Sequence, residues 1–455
     1  MTDTIRVSDL GFDASDATAA LQAALDSAAP VVVIDDVGTD WITRPLFVRR
    51  DNVTVLVEPG VTVRALPGGY GDLNDCLLTI EDRSNVRLSG YGATFAMNKA
   101  EYTSGEWRMV IKLRSVSEVT IEGLTLRDSG GDGVYLGRSE ISPSSQRVVL
   151  RDLVCDNNAR QGLSVVSVAG LRVEGCAFVR SNGTPPQTGI QLHPNFPEEQ
   201  LTDILVVDCV CEGNSASGVQ LVGGGLDQSS APLSIRVVRS TIGTQGNGNP
   251  QVLVGSDEES FHGSLEIEQS VIRTRADASA LAMITRELGG PGMRPRTSQW
   301  DWGTAENSQP ILWLSRSGAN GGTLTVTDSA LVVENPIGAA PTAEAAAAVE
   351  VRTNTSSVPG GQPAVLTFTR TGDDLSQPVA VPYVTSGTAR ERYDYGGLGR
   401  AVVIPAGQRE TSLTVRTFAR RRPEDPRIRT VVFTLGDPGD PARSSAPSAS
   451  IQIRG

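Results

Sequence analysis

Two lysines, Lys99 and Lys112, and two histidines, His193 and His262, are all that this chain of 455 residues contains. Scarce groups of this kind matter when they fall beside other proton carriers. A lysine, an arginine, a tyrosine and a histidine on one surface suit chemistry at a uronic acid. The cations neutralise the carboxylate and acidify the proton at C5, and a neutral Lys, Tyr or His removes or returns that proton. The candidates are Lys112, Arg114, Tyr135 and His193, with Glu81, Arg160, Gln161, Gln191 and Gln220 as polar neighbours able to hold a glycan. Carboxylates offer a rival chemistry, because glycoside hydrolysis needs two of them across the scissile bond. Asp132 paired with Asp128 or Asp156 would supply that pair, and Glu212 stands further along the chain. Aspartates in corners commonly bond their own backbone instead.

These residues are far apart in sequence, so an element must bring them together. Between Val119 and Val222 one pattern is written four times: VTIEGLTLRDSGGDGVYL, VVLRDLVCDNNARQGLSV, LRVEGCAFVRSNGTPPQTGIQL and ILVVDCVCEGNSASGVQL. Each copy has two short alternating runs, a polar corner, and a glycine followed by apolar, polar, apolar. The glycines Gly133, Gly162, Gly189 and Gly218 are spaced by 29, 27 and 29 residues. A period of that size signals a solenoid, since one repeat cannot bury its apolar face alone. Runs of four to six alternating residues are strands, too short for helices, and the Gly- and Asn-rich corners permit sharp bends.

The anchors also predict which side chains face out. With Val134, Leu163, Ile190 and Val219 inside, Tyr135, Ser164, Gln191 and Gln220 lie outside, as do Gly137, Val166, His193 and Val222 two residues on. The same parity in IKLR and LTIE places Lys112, Arg114, Thr79 and Glu81 outside. Stacked rows about 4.8 Å apart then put Lys112, Asp132, Tyr135 and His193 on a single outer wall.

The segment DASDATAALQAALDSAA (13–29) reads as a helix, with Asp13, Ser15 or Asp16 as cap and Ala19, Leu21, Ala24 and Leu25 as its apolar stripe. It covers the first coil. Further coils run from Val31 to the LVVEN segment, interrupted by an irregular insertion between Glu287 and Asn320. There Trp300 and Trp302 either stack on sugar rings or pack on the coil flank. Asn182 and Asn214 are expected to form a short internal stack. Domain boundaries follow: a β-helix over 1–335, a linker over 336–345, and a small β-sandwich over 346–455 with strands in AVLTFTRTG, QPVAVPYVTS, GRAVVIPAG, ETSLTVRTFA and RTVVFTLGD.

Composition fits this reading. Aromatics make up only 5% against 48 glycines, which suits a narrow core of Val, Leu and Ile. A net charge of −12 argues against nucleic acid as a partner, because phosphate contacts need concentrated basic groups. The five cysteines lack zinc-ligand spacing and read as buried thiols. No run is long enough for membrane insertion. The opening MTDTIRVSDLG has neither a basic n-region nor an apolar h-region, so extracellular placement implies a leader outside this numbering or another export route.

Two resemblances follow from these motifs. The first two-thirds resembles the right-handed parallel β-helix of the pectate lyase-like superfamily, on the helix DATAALQAALD and the coil Val119–Leu126 with Asp132–Leu136. It is especially similar to bacterial members on Arg160, Gln161, Gly162, Ser181, Asn182, Gly183, Thr184, Pro186, Gly189, Ile190, Pro194 and Asn195. The resemblance implies an all-β fold and a polysaccharide partner, with lyase, epimerase or hydrolase activity, or the glycan binding of adhesins and phage tailspikes. It also implies an acid role for Asp132, as in polygalacturonase-like hydrolases. Their paired aspartates, however, fall here at Arg160 and Gln161 and their histidine at Thr188, and relatives commonly carry acidic residues where this chain has Gln191 and His193. The tract Thr369 to Leu435 resembles Calx-β domains, which bind calcium. Arg420, Arg421 and Arg422 stand where that family has acidic ligands, so calcium is not supported and no cofactor is expected.

Overall fold

The computed structural model describes residues 3–243 and, beyond them, 251–257, 262–275, 281–287, 296–302, 309–317, 322–334 and most of 349–454. The chain is all-β: a right-handed parallel β-helix followed by a small β-sandwich-like region. Each central coil has three strands. Ser117–Glu122, Thr125–Arg127 and Val134–Gly137 form one coil, and Ser145–Arg151, Val154–Asp156 and Gln161–Val165 form the next, in parallel register. The first two strands of each coil belong to one large sheet. The third, carrying the Gly-anchored segment, belongs to a ten-stranded sheet that forms a separate wall.

The bends explain the corner composition. Between the first and second strands, one residue per coil adopts a left-handed backbone: Gly123, Asp152, Gly175, Asp208 and Arg239, with φ of 76°, 53°, 61°, 55° and 46°. Single left-handed residues turn the chain sharply, at low cost for Gly and modest cost for Asp. Inside, Val134, Leu163, Ile190 and Val219 are buried as the parity requires, and all five cysteines are free and buried.

Helix Thr18–Asp26 covers the first coil through Leu21, Ala24 and Leu25. Ala19 is exposed, contrary to expectation, and Ala17 and Ala20 take its place against the core. Ala17 is the cap position and makes no side-chain bond; Asp16 Oδ1 accepts the Thr18 N–H instead, at 3.1 Å. A short strand before the helix, Thr4–Arg6, pairs with Val31–Ile34 and starts the first coil earlier than the sequence pattern suggests. The buried corner amides are Asn158 and Asn214, which accept the Ser129 and Ser181 N–H groups. Asn182 lies one position off this register and is exposed. The insertion expected to be irregular contains two strands: Arg296–Trp302 runs antiparallel to Leu281–Glu287, and Gln309–Ser317 antiparallel to Gly322–Glu334. Among the described residues no helix is long and apolar enough to cross a membrane.

The linker expected over 336–345 and the arginines at 420–422 lie outside the described residues. The C-terminal strands form a three-stranded and a five-stranded sheet around Phe368, Tyr383 and Phe433, whose rings lie about 6 Å apart. Strands Val349–Thr353, Ser357–Pro359 and Ser448–Arg454 complete it beyond the five expected. This region meets the β-helix at the bends. Arg416 Nη2 lies 2.7 Å from the buried Asp152, and Phe418 packs on Tyr91 with ring centroids 4.4 Å apart. None of these β-helix residues belongs to the ten-stranded wall.

Candidate functional site

Register on the wall is unbroken across the residues of interest. Phe47 lies opposite Thr79, Thr79 opposite Lys112, Lys112 opposite Tyr135, and the row continues through Ser164, Gln191 and Gln220. A second row holds Glu81, Arg114 and Gly137, and His193 follows two coils on, where its N–H bonds the Val165 carbonyl at 2.9 Å. Lys112, Arg114, Tyr135 and His193 therefore share the wall, as their parity implies.

Their partners differ. Arg114 is held, with Nη1 3.0 Å from Glu81 Oε1 and Nε donating to the Arg138 carbonyl at 2.7 Å. Arg138 pairs with Glu198 and lies over the Phe196 ring, centroid distance 4.9 Å. Arg160 pairs with Glu106 at 3.0 Å. Among the described residues, Lys112 alone of these wall cations makes no ion pair, so its charge is free for a ligand. Tyr135 folds back over Gly137: a Cβ there would sit 2.6 Å from the phenol oxygen. Burial of that ring pushes the phenol up to about 12, so it stays protonated at neutral pH and serves as a donor.

Ser164 holds His193. The Ser164 Oγ is 2.7 Å from His193 Nε2. Asp132 Oδ1 accepts the Gln161 N–H at 3.1 Å, and Oδ2 lies 3.8 Å from Arg160 Nη1. The bond between Ser164 and His193 fits either tautomer of the imidazole, with Nε2 donating to Ser164 or accepting from it. Most of the imidazole is enclosed, and burial together with the Arg160 charge lowers its pKa to about 3. His193 is thus neutral across the working range of most proteins.

One element of the single-wall expectation fails. Asp132 is not on the outer surface but fully buried, at 0% exposure, because two residues before the inward Val134 it keeps that inward parity, with Arg160 beside it. Burial, offset in part by Arg160 and the Gln161 N–H, raises it to about 7. Gln161 and Gln191 are also buried and bond each other through their amides, and Gln191 Nε2 donates to Gln220 Oε1 at 3.1 Å. Ser164 is closed from solvent too. The other corner carboxylates have partners away from the wall: Asp128 binds Arg127 and Asn157, and Asp156 binds Arg180 at 2.6 and 2.8 Å. The side chains of Trp300 and Trp302 lie outside the described residues.

Two acidic residues carry no signal that the sequence reading could use. Glu106 sits before strand Ile111–Arg114 in a segment with no period, and its only flag is the neighbouring Trp107, which is 42% exposed. Glu199 is buried in the loop after His193. Its Oε2 accepts N–H groups from Asn195 and Phe196, and burial raises its pKa. Among the described residues no three His, Cys, Asp or Glu side chains converge to hold a metal.

The family model described as the right handed beta helix region matches residues 84–236. Comparison with curated protein sequences finds no match. Among solved structures the chain is similar to the A-module of a mannuronan C-5 epimerase from Azotobacter vinelandii, at 18% identity over 60% of this chain and 79% of that one, TM-score 0.43. It is similar to a tailspike protein, a capsular polysaccharide depolymerase of an Acinetobacter baumannii bacteriophage, at 9% identity over 100% and 80%, TM-score 0.40. A third likeness is to polygalacturonase from Erwinia carotovora, at 13% identity over 63% and 94%, TM-score 0.35.

Proposed function

We propose that this chain is an enzyme acting on a uronate-containing extracellular polysaccharide bound along the wall, with proton removal at C5 as its chemistry. The observation that carries this reading is a neutral, Ser164-held His193 on the same wall as Lys112, which makes no ion pair among the described residues. Lys112 stands three strand spacings, about 14 Å, from the coil of His193, so it holds the carboxylate of a neighbouring sugar and anchors the chain while His193 works on C5. His193 takes the C5 proton, and the carboxylate of the bound sugar raises its pKa toward the range of a working base. Tyr135, protonated, is the donor. Delivered to the O4 leaving group as C4–O4 breaks and the C4–C5 double bond forms, its proton completes elimination; returned to the opposite face of C5, it completes epimerisation.

Hydrolysis is the second reading. Asp132 raised to about 7 is protonated as a general acid should be. Its complete burial, and the engagement of Asp128 and Asp156 with other partners, favour elimination or epimerisation.

Incubation with a panel of acidic and neutral polysaccharides separates these outcomes. Ultraviolet absorbance of unsaturated products marks the lyase, exchange of the C5 proton with deuterated solvent and no cleavage marks the epimerase, and new reducing ends without absorbance mark the hydrolase. No reaction on any polymer, with binding retained, identifies a glycan-binding or adhesion protein instead.

A further inference from the structure

Phe47 is exposed, at 37%, on the first strand of the wall. A single exposed ring is ordinary, so its position has to carry the meaning. It stands in the same outward row as Thr79, Lys112 and Tyr135. Three strand spacings of about 4.8 Å separate Phe47 from Tyr135, about 14 Å in all. Thr79, short and half-buried, leaves a trough between the ring and Lys112. Arg49, two residues after Phe47, lies on the same side of the chain. Its guanidinium carbon is 5.1 Å from the Phe47 ring centroid, and its Nη1 is 2.9 Å from Asp26 of the capping helix.

The opposite direction along the row is different in kind. Beyond Tyr135 come the closed Ser164 and then Gln191 and Gln220, whose amides bond one another and Gln161. That half of the wall is neutral, and its hydrogen-bonding capacity is largely met within the protein.

We propose that Phe47 and Arg49 form a distal subsite for an anionic sugar ring, so that a bound uronate chain runs from His193 and Tyr135, across Lys112, toward the helix-capped end. This rests on the glycan reading above and adds to it a direction and a length. The apolar C–H face of a pyranose lies against the aromatic ring while the guanidinium meets its carboxylate. One coil rise is close to the length of one pyranose unit, so an extended chain can place successive sugars at Tyr135, Lys112, Thr79 and Phe47. Carboxylates beyond the reacting sugar are then read on the Lys112 to Phe47 side.

The test is calorimetric binding of a length series of oligogalacturonates and oligomannuronates to the full chain and to Phe47→Ala, with Phe47→Tyr as the variant that keeps a ring. Affinity of the wild type should climb until the oligomer spans Tyr135 to Phe47 and then level off. Phe47→Ala should lose about tenfold for the long oligomers, the deficit should shrink as the oligomer shortens, and Phe47→Tyr should restore most of it. Thermal melts of both variants should overlay that of the wild type, because the ring is exposed. An equal loss at every length, or no loss at any, overturns the subsite. If the oligomers bind with this length dependence but are never turned over, the subsite stands and the C5 chemistry falls. Turnover without the length dependence keeps the chemistry and removes the subsite.

Discussion

Replacing Asp132 by Asn should leave stability nearly unchanged at pH 4 and make the protein progressively more stable than the wild type as the pH rises to 7 and beyond. The carboxyl titrates at about 7 in the folded chain against 3.8 in the unfolded one. Each unit of difference corresponds to about 1.4 kcal/mol, so forcing the buried group to ionise costs about 4 kcal/mol once the pH exceeds 7. The sign follows from proton counting. Between pH 3.8 and 7 the folded state holds a proton that the unfolded chain has released, so stability falls as pH rises through that window. The amide that Asp132→Asn introduces accepts the Gln161 N–H as the protonated acid does and carries no charge at any pH. Denaturant titrations of the two proteins from pH 4 to pH 8 should therefore coincide at the acid end and separate to several kcal/mol at the alkaline end, with Asp132→Asn the more stable. Because the chain has two structural regions, the difference between variants is the quantity to compare, not an absolute stability. Parallel pH curves, or a wild type that gains stability toward pH 8 relative to the variant, would refute a buried, protonated Asp132.

Gly137→Ala places a Cβ 2.6 Å from the Tyr135 phenol oxygen; the ring can swing outward, so we expect a stability loss of at most about 1 kcal/mol but a clear fall in kcat on the substrate found by the panel. Arg416→Ala removes an ion pair from the buried Asp152, and denaturation should show a loss of about 1–3 kcal/mol with no change in turnover, since the bend it occupies is off the wall.

How much of this is legible in the sequence follows from which interactions carry period information. The solenoid is readable because Gly133, Gly162, Gly189 and Gly218 repeat with their flanking apolar residues, and a parallel stack preserves that order in space. The same parity places Lys112, Arg114, Tyr135 and His193. Continued back from Val134, the alternation points Asp132, two residues earlier, inward, and the structure seals it there; its expected place on the outer wall is not one that parity supports. Parity also puts Ser164 at the surface, where the structure closes it from solvent, and its bond to His193 needs coordinates to be seen, because it joins two successive coils. Glu106, Trp107 and Glu199 sit in loops without period, which is why no spacing announces them. The capping stripe shifts from Ala19 to Ala17 and Ala20 because alanines in DATAALQAALD fit several helical phases, and only the core decides among them. The strands within 287–320 are hidden by a sequence with too little alternation to mark them.

The most direct measurement is C5 chemistry by Lys112→Ala and His193→Ala on whichever uronate polymer the wild type converts, scored beside the thermal unfolding of each variant. His193→Ala should cut kcat by at least about a hundredfold and cost about 1–3 kcal/mol of stability, since it leaves the buried Ser164 hydroxyl without its partner; Lys112→Ala should raise KM about tenfold with the melt little shifted. A wild-type kcat in His193→Ala, or a wild-type KM in Lys112→Ala, would contradict proton transfer by His193 on a chain held at Lys112.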